Sequence, residues 1–323
     1  MQGLLDLVLG TVLPRVATIA LLIAAGVALA NLLVGLGAVR AIAGLSTPLT
    51  RPANLPEEVG TAILTTTAST TAGYGMLAEF RESGALDDRA TLVAVTINTF
   101  FGFAQHVFTF YAPVLIPILG PEVGLLYVGA RAAVALAITC TGVLAGALLL
   151  DERDAAAAVP SAVEADGGAD DRPRVDLLRD ALASALAKTR DILPRLAVIY
   201  TAVALLTARY DLAAVAGAAD PLADLVGLPA AAVPVIAVFT LDTTNGAIVL
   251  APLVEDGLFT PRTAAATMLV GGIVSFTVST FKRSIPFQYG IWGAEFGSKV
   301  VLVNTALKVF WIAVAVALLL AWP

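Results

Sequence analysis

The hydrophobic positions of this chain fall into eight long runs that are separated by short polar segments. Their approximate cores are 7–33, 58–80, 90–119, 122–150, 196–219, 229–254, 263–281 and 300–322. Most of these runs approach the roughly 20 apolar residues that an α-helix needs to cross a bilayer. The pattern therefore predicts an all-α polytopic membrane protein, with the lipid bilayer as its surroundings.

Two of the runs contain a polar interruption near the middle. The segment 65–73 is rich in threonine and ends in glycine, and the segment 239–246 has the same character around Asp242. Hydroxyl side chains and glycine weaken a helix because they compete for, or leave exposed, backbone hydrogen-bonding groups. We expect a re-entrant hairpin at each place, made of two half-helices and a polar tip that is buried or lines a cavity. A single full crossing is the alternative.

The two interruptions belong to an internal repeat in which the second copy follows the first at a constant offset, without a gap. Residues 55–56 recur as 228–229, and we call the difference between these numbers the repeat offset. The matched pairs include Thr67 with Thr240, Gly73 with Gly246, Glu82 with Glu255, Pro113 with Pro286, Gly120 with Gly293 and Gly124 with Gly297. Chance similarity between apolar helices is the alternative. We predict a first membrane repeat over 1–150, a charged linker over 151–190 and a second membrane repeat over 191–323.

The orientation of the repeats follows from the number of crossings. Each half would contain a first span, an amphipathic segment (38–52 or 217–227), a hairpin and two further spans, one of which is broken or interrupted by polar residues. Three crossings are an odd number, so the second repeat is expected to be inverted. The cytoplasmic face would then hold most basic residues, as membrane proteins prefer: Arg40, Arg51, Arg81, Arg89, Arg153, Arg172, Arg174, Arg179, Lys188, Arg190, Arg195, Lys282, Arg283 and Lys299.

In that arrangement only Arg209 and Arg262 lie on the opposite face. The linker is cytoplasmic, both termini are outside, and the protein is a multi-pass protein of the cell membrane. Parallel halves with eight full crossings would blur this charge bias. The first run lacks a basic stretch before its apolar core, so we expect a mature helix and not a cleaved signal peptide.

Composition narrows the range of functions. Hydrophobic residues make up 59% of 323 positions, charged residues 14%, and the net charge is −6. This acidic balance argues against a nucleic-acid partner. Cys140 is the only cysteine, which excludes a disulfide framework or a cysteine metal cluster. The sequence contains no catalytic triad spacing, zinc-protease helix or phosphate-binding glycine loop, so we do not expect an enzyme.

The candidate site is centred on Asp242, because charged residues inside membrane segments usually face a cavity or a partner. Its carboxylate could bind a coupling ion (Na⁺ or H⁺), accept hydrogen bonds from a solute, or cap the following half-helix. The remaining candidate residues at the two tips are Ser69, Thr70, Thr71, Gly73, Thr243, Thr244, Asn245 and Gly246. Packing of the hydroxyl groups against neighbouring helices is the plainer interpretation.

Further polar residues lie in the later helices of each half. Asn98, Gln105 and His106 stand among phenylalanines and could form an aromatic and polar wall for a solute. His106 is the only histidine, and we predict no metal site. For Arg131 and Lys308 three roles are open: neutralising Asp242, binding an anionic solute, or snorkelling to the membrane interface, which is the default.

The order of these features resembles the nucleoside-recognition or Gate-domain membrane proteins. This group is similar to the core of concentrative nucleoside transporters and to the membrane part of ferrous iron transporters. The resemblance implies a solute site at the hairpin tips and a secondary transporter of a small polar solute, nucleoside-like or other, with no cofactor besides a coupling ion. A membrane scaffold or signalling protein of the same fold is the alternative, and a metal-ion transporter is a weaker one. A homo-oligomer is left open.

Overall fold

The described part of the chain is built almost entirely from helices. The computed structural model describes residues 7–35, 50–151, 174–209, 226–280 and 284–321, and it contains no β-strand within these ranges. Four helical stretches are long and apolar enough to cross a membrane: Val8–Leu29, Asp88–Leu119, Pro121–Leu149 and Ile285–Ala321. The all-helical fold is thereby confirmed, and the four stretches are compatible with a membrane protein.

These stretches leave large apolar side chains uncovered, as helices that face lipid do. Leu148 is 82% exposed, and other leucines on the same helices are more than half exposed: Leu21, Leu29, Leu125, Leu144, Leu302 and Leu318. Apolar surface of this extent is unusual on a soluble monomer, where it would face water. The helices therefore carry their hydrophobic residues outward as well as inward.

The helices of the first half are α1 (Leu13–Gly35), α2 (Glu57–Ala68), α3 (Thr70–Glu82), α4 (Asp88–Ile97), α5 (Thr99–His106), α6 (Ile116–Leu119) and α7 (Pro121–Leu149). A π-helical stretch, Val8–Val12, precedes α1, a 3₁₀ turn, Arg51–Ala53, precedes α2, and a second π-helical stretch, Val107–Leu115, joins α5 to α6. The second half contains α8 (Arg174–Arg209), α9 (Ala232–Leu241), α10 (Thr243–Glu255), α11 (Pro261–Ser279) and α12 (Ile285–Ala321).

The backbone breaks of the two halves recur at the repeat offset. Ser69 ends α2 with φ −146°, and Asp242 ends α9 with φ −156°, so both are extended residues between two helices. Gly120 (φ 80°) breaks the first half before α7, and Gly293 (φ 73°) breaks α12 at the matching place. A side chain would be strained at either glycine, since positive φ values suit residues without a Cβ. The two halves thus share these two breaks, whereas the break at Asn98 between α4 and α5 has no counterpart in the continuous helix α11.

The arms on either side of each polar break fold against one another. We call α2 and α3 the first helix pair, and α9 and α10 the second helix pair. A Cβ atom added to Gly73 would lie 2.6 Å from the carbonyl oxygen of Ala62, and one added to Gly246 would lie 2.6 Å from Cβ of Phe239. Glycine at these matched positions lets the two arms of a pair approach closely.

Each helix pair belongs to a different hydrophobic core. The first pair packs with α4 and with Trp292, Phe296 and Val300 of α12. The second pair packs with α1, α8 and α11 and with the carboxyl-terminal part of α12, in a larger core. Helix α12 therefore contributes to both cores and connects them.

Several predicted segments fall partly outside the described residues. These are residues 38–49 and 217–225 of the amphipathic segments, residues 152–173 of the linker, and Lys282 and Arg283. Within the described residues, α8 begins at Arg174 and continues without a break to Arg209. The helix that the sequence predicts for residues 177–189 is therefore the beginning of a much longer one, which crosses the predicted boundary at residue 190.

Candidate functional site

The polar tips of the two helix pairs are capped in the same way. The side chain of Asp242 accepts a hydrogen bond from the backbone N–H of Asn245 at 2.9 Å, and that of Ser69 accepts one from Ala72 at 3.3 Å. Each side chain thus satisfies a backbone donor at the start of a helix, which is what an N-cap residue does. Asp242 adds a negative charge to the positive end of the α10 dipole.

Asp242 borders a cavity of about 480 Å³, which we call the first cavity. Its wall is formed by the tip of the second helix pair, the end of α5, the π-helical stretch Val107–Leu115, the first half of α7 and the second half of α11. The residues concerned are His106, Thr109, Phe110, Tyr111, Tyr127, Arg131, Phe239, Thr240, Leu241, Asp242, Thr243, Thr244, Gly272, Ser275, Phe276 and Ser279. The volume lies in the usual range for small-molecule pockets, about 300–1,000 Å³.

The tip of the first helix pair borders a smaller cavity of about 240 Å³, the second cavity. Its wall combines polar residues of the first half with residues of α12: Thr70, Tyr74, Asn98, Thr99, Gly102, Phe103, His106, Tyr111, Arg131, Val134, Ala135, Ile138, Asn304, Lys308 and Ile312. His106, Tyr111 and Arg131 belong to both walls. The two tips therefore face adjoining cavities, and three side chains separate them.

Arg131 and Lys308 lie in these walls, where the sequence favoured snorkelling to the membrane interface. Arg131 donates a hydrogen bond from Nη2 to the hydroxyl of Tyr111 at 3.3 Å. Its Nη1 atom lies 3.6 Å from the position that a Cβ on Gly272 would occupy, so the guanidinium reaches across to α11. Both cations are partly buried. Both side chains line the second cavity, and Arg131 also lines the first.

The break between α4 and α5 positions Asn98. Thr139 of α7 donates to the carbonyl oxygen of Ile97 at 2.9 Å and accepts from the N–H of Phe100 at 3.2 Å, so it holds both sides of the break. Asn98 donates from Nδ2 to the hydroxyl of Thr66 at 2.9 Å. Its side-chain oxygen is buried and has no hydrogen-bond partner among the described residues. An acceptor without a donor therefore lies at the edge of the second cavity.

Gln105 and His106 play different parts. The hydroxyl of Thr70 donates to Oε1 of Gln105 at 3.1 Å, which ties the first tip to α5. Nδ1 of His106 lies 2.9 Å from the carbonyl oxygen of Gly102, and the exposed ring stands between the two cavities. No group of three metal-ligating side chains occurs in the described ranges.

The structure brings only some of the predicted site residues to the cavities. Thr70, Asn98, His106, Asp242, Thr243 and Thr244 line one or both of them, whereas Ser69, Thr71, Gly73, Gln105, Asn245 and Gly246 do not. Gly73 and Gly246 are closed off by the opposite arm of their helix pair. Tyr111, Tyr127 and Asn304 also line the cavities, although the sequence pattern does not predict them as site residues. For Asn304 a signal existed, because it is the counterpart of Arg131 at the repeat offset.

Comparison with known proteins reveals relatives that extend over both halves. The uncharacterized protein MJ0871 of Methanocaldococcus jannaschii is 25% identical over 290 residues, a match that covers 90% of this chain and 88% of that protein. The uncharacterized protein MJ0880 of the same organism is 24% identical over 318 residues, 96% of this chain and 99% of that protein. No family model and no solved structure matches the chain. The resemblance to nucleoside-recognition membrane proteins therefore stays a prediction.

Proposed function

We propose that this protein is a secondary transporter that moves a small polar solute across the membrane by alternating access. The observation that carries the proposal is the pair of matched polar tips, each facing one of two adjoining cavities. Broken helices whose ends meet near the membrane midplane are the usual binding elements of secondary transporters. Here they would present hydroxyl groups, helix amino termini and one carboxylate to the solute.

Contacts along α12 support an inverted arrangement of the two helix pairs. Arg81 at the end of α3 pairs with Asp88 at 2.7 Å, and Asp88 pairs with Lys299 of α12 at 2.8 Å. At the base of the second pair, a Cβ on Gly227 would lie 3.8 Å from Leu320 of α12. Lys299 and Leu320 are about 30 Å apart along a helix, which is the thickness of the apolar part of a bilayer. This separation supports re-entry of the two pairs from opposite sides.

In the proposed mechanism, Asp242 is the group that senses the coupling ion or the solute. Its carboxylate holds the amino terminus of α10 with one oxygen atom and borders the first cavity. Binding of a proton or Na⁺ at this carboxylate would change the charge of the cavity and, with it, the relative free energies of the two access states. The halves then exchange the side from which the cavities are open.

Uptake into proteoliposomes tests this function. Labelled carboxylates, phosphates, amino acids and nucleosides are offered with and without a proton or Na⁺ gradient, and saturable uptake of one class is the expected result. Asp242→Asn should keep the cap, because asparagine caps helices as well as aspartate, and should abolish gradient-driven uptake. Asp87→Asn is the matched control, since Asp87 caps α4 by the same bond to Ala90 and lines neither cavity.

Two outcomes would contradict the proposal. If folded, reconstituted protein takes up no solute of any class, the proposed transport function is wrong. Normal gradient-driven uptake by Asp242→Asn would leave transport in place and remove the role of Asp242.

A membrane scaffold is the second candidate function, and one observation favours it. The first part of α8 exposes an apolar stripe in which Leu178, Leu182 and Leu186 are 46%, 55% and 71% exposed. Their spacing of four places them on one face of the helix, where a partner helix or a second copy of the chain could pack. Leu182→Gln with Leu186→Gln should then change the oligomeric state or partner binding of the detergent-solubilised protein. Under the transport proposal the same change leaves uptake intact.

A further inference from the structure

Two cationic side chains share the wall of the second cavity. Arg131 comes from α7 and Lys308 from α12, so the cavity lies between the last helices of the two halves. No carboxylate oxygen lies within 4 Å of either charge in the part of the chain that the structure describes. Lys308 makes no hydrogen bond with any described residue, and the hydroxyl of Tyr111 is the hydrogen-bond acceptor of Arg131.

Cations in this position are costly for a membrane protein. Taking a charge out of water without a counter-ion disfavours the folded state, and intramembrane charges usually mark solute or ion pathways for that reason. Among the described wall residues of both cavities, Asp242 is the one acid, against the two cations Arg131 and Lys308. The combined cavities therefore carry an excess of one positive charge when all three groups are ionised.

The rest of the second cavity offers polar contacts for a small molecule. Asn304 of α12 and Thr70 and Thr99 of the first half provide an amide and two hydroxyl groups. The side-chain oxygen of Asn98 is buried and accepts no hydrogen bond from any described residue. At about 240 Å³ the cavity is smaller than the roughly 300 Å³ at which pockets for drug-sized ligands begin.

We propose that the second cavity binds a small organic anion, whose carboxylate or phosphate lies between Arg131 and Lys308. The hydroxyl groups of Thr70 and Thr99 and the side-chain amide of Asn304 offer the same solute further hydrogen bonds. The anion neutralises the one positive charge that remains when Arg131 and Lys308 are set against Asp242. Its binding draws together α7 of the first half and α12 of the second. This inference names the solute class of the proposed transporter, but binding itself does not depend on transport.

Thermal unfolding of the full-length protein in detergent tests the binding step. The probes are matched in shape and differ in charge: lactate against lactamide, and glycerol phosphate against glycerol, at constant low ionic strength. We expect one or both anions to raise Tm by roughly 5 °C at saturation, because a ligand that binds only the native state stabilises it. The carboxylate and phosphate arms distinguish the two head groups. Equal effects of the anions and their neutral analogues would overturn the proposal.

Substitutions locate the effect. Arg131→Gln and Lys308→Gln should each weaken anion binding by about 30-fold or more, as expected when one partner of a desolvated charge pair is removed. Arg89→Gln is the matched control, because Arg89 is exposed and lines neither cavity. Arg131→Lys preserves the positive charge and should retain measurable binding, which keeps the test informative if Arg131→Gln does not fold. Undiminished anion binding by folded Arg131→Gln and Lys308→Gln would overturn the proposal.

Failure of this inference and failure of the transport function give different results. If only neutral solutes are taken up and the anions do not change Tm, the anion site is ruled out and the transport function is retained. Anion binding that depends on Arg131 and Lys308, in reconstituted protein that takes up none of the offered solute classes, supports the binding site and contradicts the transport function.

Discussion

At the scale of single residues, the matched positions of the two halves do not carry equal chemistry. Ser69 and Asp242 have the same backbone conformation and the same capping role, but only Asp242 is charged and borders a cavity. Asn98 donates to Thr66, whereas the matching Gly271 would bring a Cβ to 2.9 Å from the ring of Phe239. A polar contact in one half is thus an apolar contact in the other.

The glycines of the helix pairs give the sharpest prediction at this scale. Gly73→Ala should destabilise the protein by about 1–3 kcal/mol, because its Cβ would meet Ala62 and Thr66 on the opposite arm. Gly75→Ala is the control on the same helix, since nothing lies within 4 Å of its Cβ. It should be neutral or stabilise by up to about 1 kcal/mol. Thermal unfolding of the two variants side by side checks this, and equal Tm values would mean that the arms are not closely packed.

Sequence patterns predicted the breaks well and the direction of side chains poorly. Ser69 and Asp242 could be located because polar residues interrupt apolar runs at matched positions. Arg131 and Lys308 could not be assigned to a cavity, because their helices are apolar on nearly every side and show no polar face to indicate rotation. Distance from the end of a span was the remaining signal, and it favoured snorkelling. The rotation of each helix about its own axis is set by its packing against other helices, which the sequence pattern does not show.

At the scale of helices, two ionic clusters connect elements that are distant in sequence. Arg81 and Asp88 of the first half meet Lys299 of α12, and Arg81 also lies 4.1 Å from the centre of the Phe296 ring. Elsewhere, Glu255 at the end of α10 pairs with Arg15 of α1 at 3.3 Å and accepts from Tyr200 of α8 at 2.8 Å. Each cluster lies at the end of one helix pair that is opposite its polar tip, and it joins the two halves. Under the proposed alternating access, we expect at least one of these cross-half contacts to break in one of the two states.

Lys299→Gln tests the role of the first cluster. The side chains of Asp88 and Lys299 are 41% and 47% exposed, so solvent screens the pair and Tm should change little. The ratio of the two access states should nevertheless change by up to about fivefold, because the pair joins the two halves in the described state. Arg51→Gln is the control, since the exposed pair Arg51–Glu57 lies within one half. An unchanged access ratio in Lys299→Gln would show that this cluster does not distinguish the two states.

At the scale of the whole molecule, the sequence repeat predicted the matched backbone breaks of the two halves more completely than the cavities beside them. The repeat offset connects the positive-φ glycines 120 and 293 and the close approaches of Gly124 to Ile116 and of Gly297 to Tyr289. A shared local fold follows from shared glycines and caps, because these residues set the breaks. The cavities depend instead on where unlike residues of the two halves meet, and a single sequence does not encode that directly.

Thiol labelling at the two tips tests the central claim of alternating access most directly. Cys140 is the only cysteine and is replaced by serine, and a single cysteine is then introduced at Thr70, which borders the second cavity, or at Thr243, which borders the first. A membrane-impermeant maleimide is applied to oriented vesicles from either side. If the cavities open alternately to the two sides, each cysteine reacts from both sides, and Lys299→Gln raises labelling from one side and lowers it from the other. Labelling of each cysteine from one side only, with no response to Lys299→Gln, would contradict alternating access.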